Sequence, residues 1–428
     1  MKRRQLLGWS GGILSGAGCG RREPALAGAG GAARWTQSVY VWQRKWTLAV
    51  ASAVRGAAGR FDLICYLAGE REHPRGETAG EWRWVKPDWD ALKAAGAGIA
   101  AAVRMEVPRG NLQAEVEVLK SVRARVVAEA AGHGVALQEI HLDVDCPRSR
   151  LREYEGLMRA LSGSGSVGRT ASVPWVITVL PDWLGEAAFV DLAAAAGAFV
   201  LQVHALTLPG VGIREAVMCE ARQAVAWVQQ AGKAGVPYRV ALPTYASRVF
   251  YDAAGTVLDV AGEDGAEDGP AGTERHCLVR TDAAAMAALV RAWQEARPRG
   301  ATGLIWYRLP VAGDCWNWSA SALADVMAGR APAAEVRVKT RRHEAGFYEL
   351  TARNHGGVEA QLPQVVTISG PGGSKPVAWD FHGDWQGQIE RGDLKIRNSG
   401  GWLFPAQALR LGWVRLSRPG EPVLTLLP

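Results

Sequence analysis

From Ser38 onward, short runs rich in Val, Ile and Leu alternate with Ala-rich stretches whose apolar positions recur at helical spacing, and the alternation repeats about eight times before it ends near Gly329. The pattern predicts strands over 39–43, 61–67, 98–105, 137–144, 175–180, 199–204, 238–242 and 302–308. Helical patterns fall between them, for example over 111–131, 214–231 and 283–296. Strand and helix repeated in this way predict an α/β fold, a (β/α)8 TIM barrel of about 290 residues over 36–331. The seventh unit departs from the rule. Before its helix comes RVFYDAAGTVLDVAGEDGAEDGPAGTERHC, which reads as a hairpin around 253–255 followed by an acidic, glycine-rich loop, either a lid on the barrel mouth or a surface excursion. From 332 to 428 strands follow without helices, over 335–340, 346–352, 358–369, 395–398 and 409–416, with turn signals NHGG and GPGG between them. This predicts a small C-terminal all-β, sandwich-like domain, serving as a carbohydrate-binding module or as a packing domain.

Side chains of a strand alternate between its faces, so the parity of polar positions shows what a barrel interior receives. In IHLDVDCP, His141, Asp143 and Asp145 share one face and Ile140, Leu142 and Val144 the other. On the third strand Arg104 and Glu106 fall with Ala100 and Ala102. On the sixth Gln202 and His204 oppose Phe199, Leu201 and Val203, and on the eighth Arg308 shares a face with Trp306. These strands become polar toward their C-terminal ends, where barrel chemistry gathers. Isolated charges there would cost several kcal/mol each unless paired or open to a cavity. Two arrangements satisfy this: a salt-bridge network of Asp143, Arg104 and Arg308, or a polar pocket at the mouth.

Aromatic usage points to the pocket. The chain has 18 Trp against 7 Phe, and Trp42, Trp46, Trp84, Trp183, Trp316 and Trp318 lie at or just past strand ends. Indole faces suit the apolar C–H patches of sugar rings, and the N–H can satisfy a hydroxyl. The expected substrate-binding residues are Trp42, Trp183, Trp316, Trp318, Arg104, His141, Gln202, His204, Tyr245 and Arg308. Other chemistries lack their signatures: no Walker loop, GxGxxG after a strand, HExxH, paired CxxC or GxSxG elbow is present. A metal held by His141, Asp143 and His204 lacks diagnostic spacing, so neither metal nor cofactor is expected.

The formal charge of +7 includes Lys2, Arg3 and Arg4, and the remainder is too small and scattered to argue for nucleic acid. No run of about twenty apolar residues predicts a spanning helix. The start, MKRRQLLGWSGGILSGAGCG, has a basic opening, a short apolar stretch and small residues leading to Cys19. RRQLL resembles a twin-arginine signal and Cys19 resembles a lipoprotein cleavage site, although the usual leucine three residues earlier is missing. The expectation is an export signal over 1–19, a flexible linker over 20–35, and a protein lipid-anchored at Cys19 on the periplasmic or cell-surface face of a membrane. Among the remaining five cysteines, an odd number, Cys277 and Cys315 fall in loops after consecutive strands, where an oxidising compartment could join them.

VYVWQRKWT, IHLDVDCP, LQVHAL and IWYRLP together resemble the domain-of-unknown-function 3142 family over most of the barrel. The resemblance implies an exported protein, often a lipoprotein, with a barrel similar to those of glycoside hydrolases, and carries no activity of its own. Against family 18 glycoside hydrolases, whose fourth strand ends in D-x-D-x-E, Asp143 and Asp145 match the two aspartates while Pro147 stands where the glutamate would be. The seventh strand ends Leu242-Pro243-Thr244-Tyr245 without a carboxylate, so families that place one there fit no better. A donor must then come from Glu106, Asp182 or Asp314, and Asp145 with Asp182, in LPDWL, is the preferred catalytic pair, with Asp143 and Glu106 as further candidates. Two functions stay open: a hydrolase-like enzyme on an envelope or extracellular polysaccharide, or a non-catalytic sugar-binding or envelope-assembly lipoprotein.

Overall fold

The computed structural model describes residues 35–72, 80–107, 110–162, 173–204, 206–208, 216–262, 269–314, 316–405 and 407–427. The segment expected to be an export signal, with Cys19, and Cys315 and most of the acidic loop after the hairpin lie outside the described residues. The chain divides into two compact units, Met1–Asn317 and Trp318–Pro428.

The first unit is a closed parallel barrel of eight strands: β1 (Thr36–Val41), β2 (Leu63–Arg71), β3 (Gly98–Met105), β4 (Leu137–Val144), β5 (Trp175–Val179), β6 (Phe199–Gln202), β7 (Tyr238–Pro243) and β8 (Ala301–Tyr307). Neighbours in sequence are neighbours in space, and β1 pairs with both β2 and β8 to close the ring. Helices α1 (Leu48–Gly56), α2 (Trp89–Ala94), α3 (Glu115–Gly132), α4 (Leu151–Ser162), α5 (Ala187–Ala196), α6 (Ala221–Ala231) and α7 (Ala283–Glu295) form the crossovers. Thr47, Asp88 and Asp282 start three of them by accepting a backbone N–H of the first turn. The interior is packed, with large side chains against small: Tyr40, Leu63, Cys65 and Leu67 fill the space left by Ala100, Ala102 and Ala241, with Val176, Val200 and Ile305 beside them.

After β7 the chain forms a three-stranded antiparallel sheet, with 246–251 flanked by 257–262 and 275–280. Asp252 closes its first turn by accepting the Thr256 N–H, and Gly255 supplies the positive φ. Val249, Tyr251 and Val279 are buried in the same cluster as the barrel lining, so this sheet is packed onto the C-terminal end of the barrel.

In the second unit a helix over 320–327 precedes two four-stranded antiparallel sheets. One joins 336–344, 347–354, 408–416 and 376–381; the other joins 386–390, 393–397, 365–369 and 423–427. Their inner faces share a core of Tyr348, Leu350, Ala352, Val366, Ile368, Leu394, Ile396, Leu411 and Val414.

Candidate active site

At the C-terminal end of the barrel one guanidinium gathers three carboxylates. Arg104, near the end of β3, stands beside Asp143 of β4 in the parallel register. Its Nε lies 3.7 Å from Asp143, its Nη2 3.5 Å from Asp145 and its Nη1 3.9 Å from Glu72. Asp143 is buried, and one carboxylate oxygen accepts the Thr178 hydroxyl at 2.7 Å and the Gln202 amide at 3.2 Å. These bonds replace the water that burial removes. Asp145 is the first residue beyond β4, and its side chain keeps 53% of its exposure. Two residues of strand thus take a carboxylate from a closed network into the open mouth.

Asp182 lies in the single helical turn Pro181–Trp183 that follows β5. Burial raises its carboxyl above the ordinary aspartate range; Arg148, 4.0 Å away, opposes the shift, while the nearby carboxylates Glu186 and Asp145 add to it. Asp182 therefore keeps its proton at a higher pH than a free aspartate, close to an exposed carboxylate. Glu106, just past β3, is half-buried, and its backbone N–H bonds to the Arg71 carbonyl.

Below Asp143 a second polar layer is built around His141. His141 is fully buried, with Nδ1 2.6 Å from the Tyr40 hydroxyl and Nε2 2.6 Å from Glu139. Burial lowers its basicity, so the ring is neutral: Nε2–H donates to Glu139 and Nδ1 accepts from Tyr40. Burial alone would raise Glu139, but the His141 hydrogen bond and the contact with Arg239 hold it down at about 2. Parity turns Glu139 and Arg239 inward as it does His141, a signal the sequence carries in the residues before IHLDVDCP and in YRVAL.

Several expected contact residues are placed otherwise. His141 is two residues too deep to meet a ligand and serves the interior network. Trp183 has no exposed surface; its indole N–H donates to the Cys146 carbonyl at 3.0 Å and its ring packs edge-on against Tyr154. Trp42 is buried against Tyr40 and Tyr307. Arg308 is buried and pairs with Asp314 at 2.8 Å, while Arg104 stands 3.7 Å from Asp143. Trp318 is buried in the second unit. The half-exposed groups near the mouth are Gln202, His204 and Trp316. His204 stacks on Tyr307 at 5.1 Å with its Nδ1 3.5 Å from the hydroxyl of the largely buried Tyr245, and Trp316 carries Arg248 over its ring at 4.9 Å. Among the described residues no cluster of His, Cys, Asp or Glu is arranged to hold a metal ion, and no helix is long and apolar enough to cross a membrane. Chemically, the mouth offers a carboxyl raised by burial and an arginine-braced, solvent-open carboxylate within electrostatic reach of each other.

Among solved structures, the chain is similar to a chitinase from Chromobacterium violaceum at 15% identity, covering 69% of this chain and 98% of that one with a TM-score of 0.44. It is similar to the spore cortex-lytic enzyme SleL of Bacillus cereus at 10% identity, covering 66% and 72%, and to the chitinase ChiA74 of Bacillus thuringiensis at 9% identity, covering 92% and 100%, each with a TM-score of 0.44. The assignment of a barrel rests on the closed strand order, not on likenesses of this level. No curated protein matches the sequence. The family model of the domain of unknown function DUF3142 matches residues 96–312, from just before β3 to just past β8. That span is just over half of the 428 residues, and the protein belongs to the DUF3142 family.

Proposed function

We propose that the protein is a glycoside hydrolase-like enzyme acting on an envelope or extracellular polysaccharide, with Asp182 as proton donor and Asp145 as its partner carboxylate. The observation that carries this is the contrast between the two: Asp182 is raised by burial and Asp145 is open to solvent beside Arg104. Environments that separate two neighbouring carboxyls in this way suit the acid and base roles of glycosidic cleavage. Asp182 would protonate the leaving oxygen, while Asp145 would activate water or attack the anomeric carbon. Asp143 and Arg104 would orient Asp145, and Gln202, His204 and Trp316 offer polar and aromatic contacts for sugar hydroxyls and ring faces. The test is release of reducing ends across a panel of envelope and exopolysaccharides. Asp145→Asn and Asp182→Asn should each lower kcat by at least about 100-fold. Activity should fall as pH rises through the pKa of Asp182, and Asp182→Asn should remove that limb. Full activity in both variants on a cleaved substrate would overturn the assignment.

A second reading, sugar recognition without hydrolysis, is favoured by the locking of Asp143 among Thr178, Gln202 and Arg104. It predicts binding without release. In either case we propose export and a lipid anchor at Cys19, supported by the basic start and the small residues before the cysteine. Metabolic labelling with a clickable palmitate should mark the protein and should be lost in Cys19→Ser; label that persists in the variant would sink the anchor.

A further inference from the structure

We propose that the outward face of the sheet joining 336–344, 347–354, 408–416 and 376–381 binds an acidic polysaccharide bearing uronate carboxylates. The surface is remote in kind from the barrel chemistry and does not depend on it.

Alternation assigns the two faces. Tyr348, Leu350, Ala352, Val414 and Leu416 are buried in the sandwich core. The opposite parity presents Arg337, Lys339, Arg341, Arg353, Arg410 and Arg415, all exposed. A register shift falls between Gly412, opposite Leu350, and Arg410, opposite Thr351, and the extra residue Leu411 turns Arg410 to the same side as Trp413. The carboxylates on this side are fewer than the cations. Glu349 alone receives Arg341 at 3.6 Å, His343 at 3.0 Å and Arg410 at 3.0 Å. Glu344 takes Arg415 and Glu335 takes Arg337. Among the described residues Lys339 and Arg353 have no ion-pair partner, and Arg353 stands directly opposite Arg337 in the ladder. Like charges so placed weaken a sheet unless an anion is shared between them.

An aromatic pair stands among these cations. Phe347 stacks on Trp413 with centroids 5.1 Å apart, both half-exposed, and Arg415 lies over Phe347 at 5.6 Å. Trp413 sits opposite Glu349 on one side and Asp380 on the other. Arginine forks match carboxylates, and an indole offers an apolar face to a sugar ring. A chain of sugars that repeats both features is the occupant this face fits. A nucleic acid is a poorer match, because the whole chain carries only +7 and the cations here are interleaved with Glu349 and Asp380.

The test is titration of the full chain with polygalacturonate and with its fully methyl-esterified form, which keeps the sugar backbone and removes the charge. Polygalacturonate should bind and weaken with added salt, while the ester should not bind measurably. The double variant Lys339→Ala/Arg353→Ala, which removes no internal ion pair, should lose about tenfold in affinity, and Trp413→Ala a similar amount. Asp145→Asn should bind polygalacturonate as the parent does, which separates this face from the barrel. Equal binding of the ester, unchanged affinity in the double variant, or tighter binding of duplex DNA or anionic vesicles than of polygalacturonate would each overturn the proposal.

Discussion

Residue by residue, the parity of β3 and β4 turned Arg104, His141 and Asp143 toward the interior, but parity carries no information about depth. Asp143 and His141 sit in successive layers; the upper meets Thr178, Gln202 and Arg104, while the lower is sealed between Tyr40 and Glu139. Nearness to a strand end likewise says nothing about which way a ring turns, and Trp183 turns away from the mouth to pack on Tyr154. The pairing of Arg308 with Asp314 was equally hidden, because it depends on how the loop between them folds back. The lower layer has a measurable signature. Glu139 is depressed from 4.5 to about 2, so its contribution to stability is complete above about pH 4.5 and is lost as pH falls toward 2. The amount is on the order of 3 kcal/mol. His141, whose basicity is lowered, adds a loss in the same direction once pH drops below its ordinary 6.5. Denaturant midpoints at pH 6 and pH 3 should therefore fall more steeply for the parent than for Glu139→Gln. The variant should also be less stable at neutral pH by about 2–4 kcal/mol, since the partly buried Arg239 is left without its carboxylate. Equal acid dependence in the two proteins would refute this account.

Among elements, the eight barrel strands were legible because each is a short apolar run bounded by turn signals, and β3 and β4 begin and end where the pattern places them. The strands missed in the second unit, such as 386–390 (QGQIE) and 376–381 (PVAWDF), lack both a continuous apolar run and clean alternation; cross-strand partners define them. The helix expected from 214 begins at Ala221, because Val217 and Met218 pair with Leu206 and Thr207 instead. One junction between elements depends on a missing side chain. Gly303 of β8 lies opposite Thr36 of β1, where an added Cβ would overlap the Thr36 backbone and hydroxyl. Gly303→Ala should thus destabilise the barrel by about 1–3 kcal/mol, read as a lower urea midpoint, with β1 or β8 forced to shift. A midpoint at or above that of the parent would show that the ring has slack there.

For the molecule as a whole, composition and charge excluded partners more readily than they selected one, and the pairing of Asp145 with Asp182 was read from strand ends, while the contrast in their burial was not. The closed ring bears on a different matter. Trp306 donates to Gln37 across 269 residues of chain, and no earlier segment takes the place of β8 against β1. A nascent chain that has not yet released β8 leaves β1 and β7 with open edges, and loop-closure entropy makes the final pairing slow. Such a chain would stay available to chaperones and to a translocation machinery that threads unfolded polypeptide. A machinery that accepts only folded cargo would instead have to wait for the last barrel strand, so the order of synthesis sets the earliest moment at which the ring can close.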